Sequence, residues 1–171
     1  MRVANGSEAA AWPLAWRICQ YARQRNGALA GKAIDRMIGT MTDSLLNGTF
    51  VFQIDGNFGA TAGIAEALLQ SHGHLLQLLP ALPPEWPSGR VVGLRARGGF
   101  TVDIAWNEGR LTEAVLRAAF DGEIEIACPD ALCVQSDGEI IPTIPSVDGV
   151  RLTACAGRQY RITPLNCARL Q

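Results

Sequence analysis

The sequence predicts an α+β chain in which a helical segment feeds an antiparallel, sandwich-like β-domain. Three observations predict it. Apolar residues in the first third recur at helical spacing, a dense proline run follows, and beyond it apolar and polar residues alternate. The expected division is residues 1–79 for the helical part and residues 80–171 for the β-domain.

Trp12, Trp16, Cys19 and Ala22 follow one another at spacings of four, three and three, which places them on one face of a first helix. Pro13 sits near its start, where a missing N–H costs little, and Asn26-Gly27 ends it. Ile34, Met37, Ile38, Met41 and Leu45 form the apolar stripe of a second helix, stopped by Asn47-Gly48. A third helix is expected over Gly59–Ser71, with Ile64, Ala67 and Leu68 on one face and Asn57 or Thr61 as its cap. The stretch Phe50–Gly59 reads as a loop, because Asp55-Gly56 and Asn57 are turn formers. Trp12, Trp16, Phe50, Phe52 and Phe58 are more aromatic surface than three short helices bury among themselves, which favours a helical unit cut from a larger one.

Pro80, Pro83, Pro84 and Pro87 fix an extended connector that cannot continue a helix. After it, Val102, Ile104 and Trp106 face one side of a strand while Thr101, Asp103 and Ala105 face the other. Asn107-Glu108-Gly109 makes a hairpin turn into Leu111–Ala119. Further strands are expected over Val91–Arg97, Glu123–Cys128, Leu132–Gln135, Val150–Cys155 and Gln159–Thr163, and such short strands between Gly, Asp and Pro turns argue for a sandwich.

With 48% apolar and 18% charged residues, the chain has the composition of a globular protein. A formal net charge of −1 gives no reason to expect nucleic acid or an anionic membrane as partner. Cys19, Cys128, Cys133, Cys155 and Cys167 lack metal-ligand spacing and read as small buried apolar residues; no metal or cofactor is suggested. No stretch has the length of a membrane span, and Met1–Glu8 lacks the continuous apolar run of a signal peptide. Asn5-Gly6-Ser7 and Asn47-Gly48-Thr49 fit the N-glycosylation pattern, a frequent motif that leaves the compartment open.

The run from Phe52 through Gln53-Ile54-Asp55-Gly56-Asn57-Phe58-Gly59 to Glu66 resembles a signature of glycoside hydrolase family 95. Leu68–His72, Leu78–Pro83 and Gly93–Phe100 resemble the same family in the same order, and upstream Trp12 with Ala15–Ile18 and Ala22-Arg23 resembles its preceding barrel helix. The resemblance implies that residues 1–79 are the closing helices of an (α/α)6 catalytic barrel and residues 80–171 its C-terminal β-domain. It further implies action on terminal α-L-fucose, typically α-1,2-linked to galactose, with inversion of configuration. Gly48-Thr49-Phe50-Val51 departs from the family, which carries His-Pro-Pro or a close variant there.

Inverting hydrolysis needs an acid for the leaving oxygen and a base for water on the opposite face, roughly 6.5–9.5 Å apart. In the family an aspartate works through asparagine side chains that hold the water, and the position matching that aspartate is Asp55. An Asp-Gly turn is the plain structural alternative. Asn57 is the candidate for sugar hydroxyls, against a role as helix cap or loop contact, and Gln53 is a weaker sugar-contact candidate. Gly56 and Gly59 are read as serving backbone geometry, Glu66 as an ion-paired or exposed helix residue, and His72 and His74 as loop residues. The family's general acid and water-holding asparagines belong to barrel segments before Trp12, so the chain by itself is expected not to hydrolyse fucosides. The expected partners are a fucosylated glycan and the earlier barrel segments. The alternative is a non-catalytic module, structural or carbohydrate-binding, with Trp86 and Trp106 as stacking candidates and Trp106 placed in the core by alternation.

Overall fold

The apolar spacing of the first third does form helices, but the buried face is not the one that carries the tryptophans. The computed structural model describes residues 11–48 and 52–165, which separate into a helical unit and a β unit. Asn5 and its neighbours, Thr49, Phe50 and Cys167 lie outside the described residues.

In the helical unit, α1 (Ala11–Arg23) buries Ala11, Leu14, Ala15, Ile18 and Ala22. Trp12 and Trp16 are about half exposed at 50% and 57%, and stack on each other with ring centroids 6.0 Å apart. The expected Trp-Cys-Ala face divides: Ala22 is buried and Cys19 half-buried while both tryptophans face outward, and Ala11, Leu14, Ala15 and Ile18 line the side that meets the other helices. Arg25 takes a positive φ after α1, and the Asn26 side chain accepts from Leu29 N–H at 3.0 Å to cap α2 (Gly27–Ile38). That helix stops short of Met41 and Leu45, which sequence spacing assigns to it. The Thr40 hydroxyl donates to Met37 C=O, and the chain closes a loop in which Gly48 N–H returns to Thr40 C=O at 2.7 Å.

α3 (Ile54–Leu68) starts five residues before the expected Gly59. Gly56 and Gly59, read from sequence as loop-shaping residues, lie within it and let it approach α1. A methyl group on Gly56 would sit 2.5 Å from Ala11 Cβ, one on Gly59 2.9 Å from Ala15 Cβ, and one on Gly63 would overlap the Ile18 side chain. Contacts rising together along both chains, 11 with 56, 15 with 59 and 18 with 63, make α1 and α3 parallel neighbours. The Pro-rich stretch is not a free connector: Pro80–Glu85 belongs to the helical unit. Ala81 N–H donates to Ala67 C=O and its side chain packs with Ala22 and Ala67.

The expected boundary after residue 79 is also displaced, since residues 69–79 belong to the β unit. There β1 (Leu69–His72) and β2 (Leu75–Leu78) form a hairpin, and β2 pairs in parallel with β6 (Gly122–Ala127). With β9 (Ile144–Pro145) and β10 (Gly149–Ala154) they make a sheet of order β1-β2-β6-β10-β9. The second sheet has order β3-β4-β5-β11-β7-β8, formed by β3 (Gly89–Ala96), β4 (Phe100–Asn107), β5 (Arg110–Ala118), β11 (Gln159–Pro164), β7 (Leu132–Ser136) and β8 (Glu139–Ile140). Every pairing except β2–β6 is antiparallel, and the unit is sandwich-like as expected.

The β core follows the period of two. Phe100, Val102, Ile104 and Trp106 on β4, Leu116 on β5 and Tyr160 and Ile162 on β11 are buried, each large side chain contributing on the order of 1.5–3 kcal/mol. Trp106 lies in this core as alternation predicts, with its indole N–H donating to Trp86 C=O at 2.9 Å. Glu108 and Gly109 both take positive φ between Asn107 and Arg110, the geometry a two-residue hairpin demands.

Candidate active site

Asp55 stands in the first turn of α3, exposed, where an acidic side chain complements the positive end of the helix. It is not in the Asp-Gly loop turn that the sequence suggests. Phe58 and Phe52 on either side of it in sequence are also solvent-facing, at 68% and 53% exposure. The start of the helix is held from outside by one buried residue, Asn47, which is 3% exposed.

Asn47 donates three hydrogen bonds to two partners. Its backbone N–H and its side-chain Nδ2 both donate to Asn57 Oδ1 at 3.1 Å, and Nδ2 also donates to Gln53 C=O. Asn57 Nδ2 in turn donates to Leu45 C=O at 2.7 Å. Gln53 C=O additionally accepts from Gly56 N–H at 3.0 Å, closing the turn that contains Asp55. Asn57 therefore binds the neighbouring loop, one of the roles the sequence left open, and it is not the helix cap because it lies inside α3. Gln53 is half-buried and contributes its carbonyl to this network. Sequence reasoning reads Asn47 only as a helix stop and a glycosylation motif. No local signal marks the link, since its partners lie six and ten residues away.

Other titratable groups near α3 are accounted for structurally. Arg23 Nε and Nη2 donate to the two Glu66 oxygens at 3.0 and 3.2 Å, an ion pair joining α1 and α3 that removes Glu66 from consideration as a second catalytic carboxylate. Burial pushes the Cys19 thiol above its usual range, with Glu66 adding to the effect, and its Sγ donates to Gly59 C=O. Cys19, Cys128 and Cys133 are half-buried rather than fully buried and Cys155 is exposed, which corrects the reading of the cysteines as core residues.

In the β unit, His72 is a strand residue on β1 facing Arg97, while His74 lies exposed in the following turn. One carboxylate there whose surroundings favour the charged form is Asp103. Arg117 donates to Oδ2 at 2.7 Å and Gly93 N–H to Oδ1 at 2.9 Å, holding the Asp103 carboxyl below its usual range, with the Arg117 bond as the larger cause and desolvation opposing it. Asp103 is covered by these immediate neighbours on the outer face of β4 rather than set deep in the core, and it fills the bulge of β3 between Val91 and Leu94. Among the described residues no group of three or more His, Cys, Asp or Glu is placed to hold a metal ion, and no helix is long and apolar enough to cross a membrane.

Comparison with known proteins bears on both units. Residues 2–68 match the glycosyl hydrolase family 95 catalytic domain, and residues 70–162, more than half of the chain, match the glycoside hydrolase family 95 C-terminal domain. The chain is 40% identical over 122 residues to Alpha-L-fucosidase 2 of Arabidopsis thaliana, covering 64% of this chain and 14% of that protein. It is 31% identical over 135 residues to Probable alpha-fucosidase A of Aspergillus oryzae, covering 68% and 19%. The chain thus spans less than a fifth of the length of these relatives. A solved family 39 glycoside hydrolase from Bacteroides cellulosilyticus WH2 aligns over 70% of this chain and 21% of its own at 12% identity, but a TM-score of 0.36 is too low to inform the fold. On the two domain matches, in order and together spanning nearly its whole length, the chain belongs to glycoside hydrolase family 95.

Proposed function

We propose that this chain supplies the C-terminal part of an inverting α-L-fucosidase that removes terminal, α-1,2-linked L-fucose from glycans. In this reading residues 11–48 and 52–68 are closing helices of the catalytic barrel, and Asp55 acts on the base side of the reaction. The observation that carries it is the position of Asp55 within the match to the family's catalytic domain, exposed at the first turn of a helix whose start is braced by buried hydrogen bonds. A carboxylate so placed accepts hydrogen bonds from the amide groups that hold water, and the amides then direct that water at the anomeric carbon. The parallel, closely packed pair α1 and α3, with Trp12 and Trp16 exposed, suits a helical unit completed by further helices.

Glu66, the other carboxylate of α3, is held by Arg23 and does not serve to protonate the leaving oxygen. The general acid and the water-holding asparagines therefore come from catalytic-domain segments outside this chain, and the chain alone turns nothing over. Asn57 and Gln53 serve the sugar subsite by fixing the Asp55 turn, and the Gln53 side-chain amide, whose backbone carbonyl makes the contact with Asn47, is the candidate for substrate hydroxyls. The test is proton NMR of an oligosaccharide ending in α-1,2-linked L-fucose. The isolated chain releases no fucose, whereas a protein joining it to the earlier catalytic-domain segments releases β-L-fucose first. Release of the α-anomer first, or turnover by the isolated chain, would contradict the proposal.

A further inference from the structure

We infer that Asn47 is the positioning residue for the Asp55 turn, and that it serves as this link rather than as a glycan acceptor; the first half rests on the reading of Asp55 as the base-side carboxylate. The Asn47 side chain is buried, and its Nδ2 carries two hydrogens with a partner for each: Gln53 C=O and Asn57 Oδ1. One partner precedes Asp55 by two residues and the other follows it by two. The loop end is fixed independently by the Gly48 N–H to Thr40 C=O bond and by Met41 bridging Asn47. Asn47 thus clamps the backbone on both sides of Asp55 to a closed loop anchored on α2.

The same geometry closes the motif Asn47-Gly48-Thr49 to glycosylation. A glycan is attached at Nδ2, so it replaces one of the two hydrogens already donated. It also brings a bulky polar group to a side chain that is only 3% exposed. Modification before folding would remove the clamp, and modification after folding would require the loop to open. The Asn47-Gly48-Thr49 motif is therefore a structural element that happens to fit the acceptor pattern.

Amide hydrogen exchange of the full chain, read by NMR, tests the clamp. Asn47→Ala removes both side-chain donations, and Asn47→Asp keeps the shape while converting donors to acceptors. Both variants are expected to speed exchange of the Gly56 amide about 10-fold or more, the scale of one hydrogen bond lost from a local opening, while Ile18 and Ala22 in α1 are unchanged. The side-chain carboxyl carbon of Asp55 shifts in both. Unchanged Gly56 exchange, rescue by Asn47→Asp, or a uniform rise across α1 and α3 would overturn the proposal, the last by showing a merely global role. If Asn47→Ala does not fold, Asn57→Ala, which removes the Oδ1 acceptor of Asn47 and the Nδ2 donor to Leu45 C=O while leaving the Asn47–Gln53 bond, must speed exchange over residues 54–58, and its failure to do so also overturns it. Expression through a eukaryotic secretory route is expected to give folded chain with Asn47 unmodified by peptide mass, and a folded, glycan-bearing chain with normal Gly56 exchange would refute the second half. None of these readouts is hydrolysis, so failure of the clamp and failure of the catalytic reading are told apart.

Discussion

Replacing Gly63 by alanine tests whether the α1–α3 seam holds the helical unit together. Propensity alone favours the change, since alanine in a helix interior is about 1 kcal/mol better than glycine. Packing opposes it. The new methyl would overlap Ile18 Cγ2, with Ile18 Cβ at 3.0 Å and Cys19 N at 3.2 Å behind it, so neither a rotamer change nor a small side-chain shift clears the space. Overpacking of this kind costs roughly 1–3 kcal/mol, and a β-branched side chain on a helix has few rotamers to offer. The net expectation is a loss of about 0–2 kcal/mol for Gly63→Ala and a larger loss for Gly63→Val, which adds more volume for a smaller gain in propensity. Gly59→Ala is the milder comparison: its methyl would sit 2.9 Å from Ala15 Cβ with the next atom at 3.9 Å, so the helices must separate at one contact and that cost opposes the propensity gain. Urea unfolding followed by ellipticity at 222 nm measures the series. Equal or greater stability for Gly63→Val than for Gly59→Ala would refute the seam as the reason for these glycines.

Three further outcomes follow from the β unit and the exposed helix surface. The Asp103 carboxyl titrates below its ordinary range when folded, so its stabilising contribution is complete above about pH 4 and is lost as pH falls through the depressed value; Asp103→Ala should flatten that acid limb in pH-dependent thermal unfolding and cost about 1–2 kcal/mol at neutral pH. Trp106→Phe leaves Trp86 C=O without its indole donor and opens space beside Gly89, and thermal unfolding should show a loss of about 1–3 kcal/mol. Glu66→Gln, by contrast, breaks an ion pair whose Arg23 side is 56% exposed, and should change stability by less than about 1 kcal/mol in the same assay.

Much of the β unit is legible because its determinants are local. Alternation on β4 and the Glu108-Gly109 turn place that hairpin within a residue of its observed ends, and β5, β6, β7, β10 and β11 are similarly close. β1 and β2 are not legible: Leu75–Leu78 carries no clean alternation, and the strand exists because it pairs in parallel with β6, fifty residues on. The helices show the opposite difficulty. Periodicity locates α1 and groups its aromatics on one face but does not reveal the opposite seam, where the helix packs through Ala11, Ala15 and Ile18 and leaves Trp12 and Trp16 outward. Gly56 and Gly59 read as loop residues because glycine lowers helix propensity, yet here contact with α1 overrides that preference. Asp55 is visible only through its motif, since nothing in its charge or spacing separates it from an ordinary Asp-Gly pair. Asn47 is hidden for a different reason: its partners come together only once the loop after α2 has closed on the start of α3.

The most direct test of the catalytic assignment is Asp55→Asn in a protein that joins this chain to the earlier segments of the family's catalytic domain, assayed for fucose release from a terminal α-1,2-fucosylated oligosaccharide. Asparagine keeps the size of the side chain and its place in the first turn of α3, but not the carboxylate that polarises the water-holding amides. The account predicts a fall in kcat of about a thousandfold or more with substrate binding largely retained. Turnover within a few-fold of the unsubstituted protein would show that Asp55 belongs to the helix and not to the chemistry.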